Sequence, residues 1–221
     1  LMARLGYDRY VAQGGDWGAI VTQSMGQTET EHCAGIHVNM PLVIPDPDTM
    51  DNLTEAEQAS LESMGRYTEE GSGYSKQQST YPQTLGYGLA DSAVGQLAWI
   101  VEKFYMWTDC ERDGTRHPEN VMDKDELLDN VMVYWLNNAG ASSARLYWES
   151  YNKPNLNPIQ MPVGCSIFPK EIFSTSRRWA EKRFTNLIHW NELEIGGHFA
   201  AFEQPDLYMA EIRDCFRTLR A

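Results

Sequence analysis

Residues 10–18, Tyr10-Val11-Ala12-Gln13-Gly14-Gly15-Asp16-Trp17-Gly18, decide how the chain folds. Tyr10 to Gln13 is a short apolar run that reads as a strand and stops at two glycines. From Trp17 to about Gln27 the pattern suits a helix, and Ala34 to Val38 reads as a second strand. Strand, turn, helix and strand make the βαβ unit of a parallel sheet. Upstream, Leu1 to Leu5 followed by Gly6 reads as the last turn of a helix closed by its glycine.

The glycines flanking Asp16 suit a strained strand-to-helix turn, where a Cβ would collide across the bend. Such a turn holds its central side chain out as a nucleophile, and the helix N-terminus keeps a carboxylate there ionised. The centre of an elbow of this kind is usually Ser; here it is Asp16. A helix N-cap aspartate behind a glycine turn explains the same residues. Taken alone, the motif leaves the two readings level.

Further along, Pro45 and Pro47 mark a change of character. Thr54-Glu55-Ala56-Glu57 opens a helix, with Thr54 as N-cap and Glu57 at the reciprocal position. Ala93 to Trp107, Lys124 to Trp135 and Ser142 to Tyr151 are further helices. No strand pattern interrupts this stretch, so residues 45–155 read as an all-helical lid. After it, Met161 to Phe168 and Phe184 to Trp190 read as strands, Thr175 to Lys182 and Asp206 to Leu219 as helices. The expected organisation is an α/β core in two parts, 1–44 and 156–221, interrupted by the 45–155 lid.

Composition narrows the function. Eighteen Lys and Arg against 31 Asp and Glu give a net charge of −13, which argues against a nucleic-acid partner. No window is apolar enough for a membrane span, and no signal-peptide layout opens the chain. Cys33, Cys110, Cys165 and Cys215 form no metal-ligand spacing, so buried or free thiols in a reducing compartment are expected. A cytoplasmic location follows from these features, with a membrane anchor upstream of Leu1 left open.

A second chemical candidate is Gly196-Gly197-His198-Phe199, between the last strand and the last helix. A loop histidine beside two glycines can reach into a site, and it titrates near neutrality. A histidine tied to backbone would look the same. His32, His37, His117 and His189 have no such setting and read as surface or packing residues. In the α/β hydrolases, nucleophile, acid and base follow in that order along the chain. Asp16 first and His198 last would place the acid behind a late strand, where Glu171 stands in Pro169-Lys170-Glu171. An exposed helix-starting glutamate is the plainer alternative.

Four blocks carry a resemblance: Gly14-Gly15-Asp16-Trp17-Gly18, the stretch Ser72 to Thr84, the stretch Asp91 to Ile100, and Gly196 to Pro205. Together and in this order they resemble the microsomal-type epoxide hydrolases of the α/β-hydrolase fold, a family that includes juvenile-hormone and soluble fungal members. The resemblance runs the length of the chain. It implies Asp16 as nucleophile, Glu171 as orienting acid, His198 as base and the Trp17 backbone N–H as one oxyanion donor. Of the eleven tyrosines, Tyr74 and Tyr147 match the two lid tyrosines of the family, with core packing as the alternative for each. It implies no metal and no organic cofactor; the partner is a small-molecule epoxide, and a homodimer is left open.

The family also has an upstream His-Gly-x-Pro segment, and much of its sheet precedes the elbow. Neither is found here. The expectation is therefore the C-terminal part of an α/β-hydrolase fold with the N-terminal part of the sheet missing, possessed of every site residue but poorly soluble or inactive alone. Two other readings stay open: a haloalkane dehalogenase-like hydrolase, which shares the aspartate elbow, and a truncated non-catalytic remnant.

Overall fold

The computed structural model describes residues 1–151 and 154–220. Residues 152–153, inside the expected 45–155 lobe, and 221, the end of the expected 156–221 segment, lie outside the described residues. In chain order the first elements are β1 (Tyr10–Gly14), α1 (Asp16–Thr28), β2 (Cys33–Val38), α2 (Glu55–Arg66), α3 (Gly73–Thr80), α4 (Pro82–Asp91) and α5 (Ala93–Trp107). There follow β3 (Glu111–Arg112), β4 (Thr115–Arg116), α6 (Lys124–Leu136), α7 (Gly140–Ser150) and β5 (Val163–Ile167). The chain closes with α8 (Arg177–Arg183), β6 (Leu187–Glu192), α9 (Ala200–Glu203) and α10 (Pro205–Cys215). Two compact units result: Leu1–Met64 with Asn155–Ala221, and Gly65–Pro154.

The first unit is built on a four-stranded parallel sheet in the order β1-β2-β5-β6. Alternation along each strand sends successive side chains to opposite faces. Ile36 and Val38 of β2, with Val163, Cys165 and Ile167 of β5, join Ala19 of α1 and Ala180 of α8 in one apolar cluster. The residues between them face α10 instead. Ser166 Oγ donates to Glu211 Oε2 at 2.8 Å, and a Cβ on Gly164 would run into Cys215 Sγ. Both faces of β2 and β5 are thus covered, as a parallel sheet requires. The expected strand at 161–168 appears trimmed to Val163–Ile167, and the one at 184–190 appears shifted to Leu187–Glu192. β6 begins late because Phe184 ends α8 and is buried, with Thr185 N–H donating to Ile159 O.

Residues 45–64 lie with this unit for an identifiable reason. Thr54 N–H donates to Glu57 Oε2 at 2.9 Å and Glu57 N–H to Thr54 Oγ1 at 3.3 Å, the reciprocal cap expected at the start of α2. The same Glu57 carboxylate accepts from Arg178 Nε at 2.6 Å and from Ser176 Oγ at 2.7 Å. Arg178 is itself 38% exposed, but removing it would leave the buried Glu57 carboxylate without its charged partner, which is costly in a poor solvent. α2 is therefore fastened to α8.

The second unit is helical, with α3, α4 and α7 packed together and α5 against α6. Leu89, Phe104, Trp107, Leu127, Val131 and Ala144 are buried in it. It is not all-helical, as the sequence reading expected. β3 and β4 form a small antiparallel hairpin that turns at Asp113-Gly114, both with positive φ (50° and 75°). An Asp-Gly pair is a strong hairpin signal, but the flanking residues are polar and give no hydrophobic alternation to announce strands. The four cysteines are buried free thiols.

Candidate active site

The elbow is present and strained. β1 ends at Gly14, Gly15 is extended (φ −117°, ψ 165°), and Asp16 starts α1 with φ 47°. A non-glycine residue in that left-handed region costs on the order of 1–3 kcal/mol and persists only where its surroundings enforce it. The enforcement comes from Gly14, whose missing Cβ leaves room for the carbonyl of Gly18 in the first turn of α1. A larger residue there would push the helix off the strand. The strain holds the Asp16 carboxylate half-exposed at the helix N-terminus, where the macrodipole favours its charge. Trp17 follows directly in the same turn.

The loops behind β5 and β6 bring the other two residues to it. After β5, Glu171 N–H donates to Phe168 O, and Lys170 N–H crosses to Gly196 O at 3.2 Å. That bond stitches the acid loop to the histidine loop. Gly196 has φ 104°, and a Cβ there would stand 2.7 Å from the Phe168 ring. His198 Nδ1 then lies 2.5 Å from Glu171 Oε1, and His198 Nε2 lies 3.3 Å from Asp16 Oδ2. Glu171 and His198 side chains are each only 1% exposed. Asp16, Glu171 and His198, widely spaced in sequence, are therefore one contiguous set.

Its electrostatics follow from this geometry. Burial disfavours the His198 imidazolium, but the carboxylates of Glu171 and Asp16 outweigh it and push the His198 pKa up to about 10. The two carboxylates on either side of the ring thus favour the imidazolium form of His198. Beside it lies a cavity of about 360 Å³ lined by Asp16, Asn39, His198, Phe199, Phe202 and Tyr208, among others.

One residue of this site was missed in the sequence. Asn39, directly after β2, donates from Nδ2 to Glu171 Oε2 at 3.4 Å. Its Oδ1 accepts from Gln13 Nε2 at 3.2 Å and from Tyr208 Oη at 3.4 Å. The free lone pairs of Glu171 are thereby occupied, and Ile172 N–H adds a 2.8 Å bond to Oε1. The available signal was position: a polar residue at the carboxyl end of a buried strand, where open α/β sheets place their sites.

Tyr74 and Tyr147 belong to the helical unit and meet there. Tyr74 sits in the first turn of α3 and Tyr147 on α7, with ring centroids 5.7 Å apart at an interplanar angle of 76°. Tyr67 Oη donates to Tyr74 Oη at 3.1 Å, and the Trp107 ring stands edge-on to Tyr74 at 5.2 Å. Burial, with Tyr147 and Tyr67 alongside, pushes the Tyr74 phenol above its ordinary range. It remains a neutral donor at physiological pH. Tyr67 was also missed, since nothing in its spacing sets it apart from a packing residue.

Among the described residues no group of three or more His, Cys, Asp or Glu is arranged to hold a metal ion, and no helix is long and apolar enough to cross a membrane.

No family model matches the chain. It is 50% identical over 222 residues to a protein of Stigmatella aurantiaca that bears an epoxide hydrolase name, covering 100% of this chain and 50% of that protein. It is 35% identical to epoxide hydrolase 1 of Sus scrofa, over 96% of this chain and 52% of that protein. Among solved structures, the Aspergillus niger epoxide hydrolase superposes with a TM-score of 0.85 at 29% identity, covering 98% of this chain and 54% of that one. The juvenile hormone epoxide hydrolase of Bombyx mori gives 0.84 at 31% identity, covering 100% and 57%. The chain spans about half the length of the relatives it matches. The expected likeness to microsomal-type and juvenile-hormone epoxide hydrolases, and the α/β-hydrolase fold with it, are what these similarities bear out.

Proposed function

We propose that this chain, an α/β-hydrolase chain related along its whole length to the epoxide hydrolases, carries the residues that open an epoxide to a vicinal diol through an ester on Asp16. One observation carries the reading: a strained aspartate at a helix N-terminus, with a buried histidine 3.3 Å from its carboxylate and a buried glutamate 2.5 Å behind that histidine.

In the first step Asp16 Oδ attacks an epoxide carbon and the ring C–O bond breaks. The leaving oxygen takes a proton from Tyr74 or Tyr147, whose phenols are neutral donors suited to an oxygen that gains charge. Attack converts the Asp16 carboxylate to a neutral ester. One of the two charges holding His198 as a cation is then gone, so its proton is released and makes good the one the phenol gave up. The neutral imidazole that remains is the base for the second step. It takes a proton from water, and hydroxide adds to the ester carbonyl while the Trp17 N–H, next in the chain, supports the oxyanion. Collapse releases the diol and restores the Asp16 carboxylate and the His198 cation, so one water has been consumed. Glu171, fixed by Asn39 and Ile172 N–H, holds the tautomer in which Nε2 faces the water.

A haloalkane dehalogenase would share Asp16, His198 and Glu171, yet would bind halide through N–H donors. The paired, half-buried phenols of Tyr74 and Tyr147 favour an oxygen leaving group. The test is the variant His198→Gln mixed with an epoxide: alkylation proceeds, hydrolysis stops, and intact mass rises by one substrate on the peptide that contains Asp16. Steady turnover by this variant would remove His198 from its role, and an adduct with loss of halide from a haloalkane would favour the other reaction.

A further inference from the structure

The helical unit carries an open groove of about 560 Å³ whose lining includes Glu70, Tyr74, Trp99, Glu102 and Lys103. Lys103 is unusual in it. Its side chain is only 14% exposed, although lysines are seldom buried without a purpose or a partner. The ammonium stands 4.4 Å from the centroid of the Tyr74 ring, and 5.5 and 5.8 Å from those of Trp107 and Trp99. Its ion-pair partner is Glu102 Oε1 at 2.5 Å. Glu102, however, is 59% exposed, so water screens the anion more than the cation. The ammonium is the charged group placed on the face of the Tyr74 ring.

We propose that Lys103 is a positioning residue for ring opening that acts through Tyr74, its ammonium favouring the negative charge the phenol takes on as it gives its proton to the epoxide oxygen. The proposal rests on the reading of Tyr74 as a proton donor. A cation over an aromatic face is attracted by the ring quadrupole, and that attraction grows as the phenol approaches phenolate. It is therefore stronger in the transition state than in the ground state, which is the condition for accelerating a step rather than merely binding. The need is visible in the surroundings. The other groups facing Tyr74, namely the neutral Tyr67 hydroxyl and the rings of Tyr147 and Trp107, offer no charge, and burial opposes ionisation. Glu70 and Glu102 line the same groove and bring no positive charge to the ring.

The experiment is single-turnover alkylation in a cycle of Lys103→Met, Tyr74→Phe and the double variant, with ester hydrolysis followed separately. Lys103→Met should slow alkylation about 3- to 10-fold, within the range of cation–π strengths, and leave hydrolysis unchanged. In the Tyr74→Phe background the same change should have less than about a twofold effect, and Lys103→Arg should restore most of the rate. Equal slowing in both backgrounds, or no slowing while Tyr74→Phe itself is slow, overturns the role of Lys103 and leaves the phenol reading standing. Normal alkylation by Tyr74→Phe overturns the phenol reading.

Discussion

Among the described residues two glutamate–histidine pairs of the first unit lie within 3 Å, and one of them has the surroundings of a site. Glu171 and His198 lie 2.5 Å apart, and Glu211 and His189 2.8 Å apart. Glu211 even completes a serine–histidine–glutamate set: Ser166 Oγ donates to it, His37 Nε2 stands 2.9 Å from the same Oγ, and Asn191 Nδ2 donates to Oε1 at 2.8 Å. What the second set lacks is an elbow. Ser166 lies inside β5 with ordinary strand geometry and no exposure, whereas Asp16 is thrust out at φ 47° beside a cavity. The difference teaches that composition of a triad is cheap, and that backbone strain with an open face is what sets the candidate site apart.

The comparison breaks most severely at Asp16. Asp16→Asn removes the attacking oxygen at nearly constant shape, and diol formation should fall to background while the unfolding midpoint stays within a few degrees; wild-type rates would end the assignment. Glu171→Gln comes next. Loss of the correct tautomer in such sets lowers turnover by up to about 10⁴-fold, and here ester hydrolysis should suffer while alkylation survives, as rapid-quench kinetics would show. Tyr74→Phe and Tyr147→Phe follow, each slowing alkylation by roughly 10- to 1000-fold, the scale of losing one donor to a developing oxyanion.

Glu211→Gln sharpens the contrast from the other side. It should leave turnover per folded molecule unchanged and cost stability of about 1–3 kcal/mol in denaturant, since the charged acceptor for the buried Ser166 hydroxyl and the half-buried His189 and Asn191 is lost. A collapse in turnover without loss of stability would make this second set functional after all. The same region should also dominate acid sensitivity. Burial pushes the His37 pKa down to about 3, from an ordinary value near 6.5. Its Nδ1 has no hydrogen-bond partner among the described residues, so a second ring proton would find no acceptor. The unfolded chain then binds the extra proton first, and stability should fall as pH drops from about 6.5 towards 3. His37→Phe should flatten that slope; an unchanged slope would shift the cause to the carboxylates.

What could be read in advance was whatever leaves a pattern. The glycines around Asp16 and before His198 mark bends that other residues cannot make, and the apolar runs of β2 and β5 mark a doubly covered sheet. Glu171 was legible only through order along the chain. Asn39, Tyr67 and Lys103 were not, because each acts through one tertiary contact that has no periodicity, and the β3–β4 hairpin was hidden by polar flanks. The Glu211 cluster was equally silent: His37 and His189 look like surface or packing histidines in sequence, whereas the structure ties them to Ser166 and Glu211.

The measurement that tests the central claim most directly is a single turnover of an epoxide in heavy-oxygen water with protein in excess. Attack by Asp16 places one of its own light oxygens in the diol, so the first-turnover product should carry no solvent label, and the label should appear in the Asp16 carboxylate instead. A first-turnover diol that carries solvent oxygen would mean that water attacks the epoxide directly, and the ester on Asp16 would be refuted.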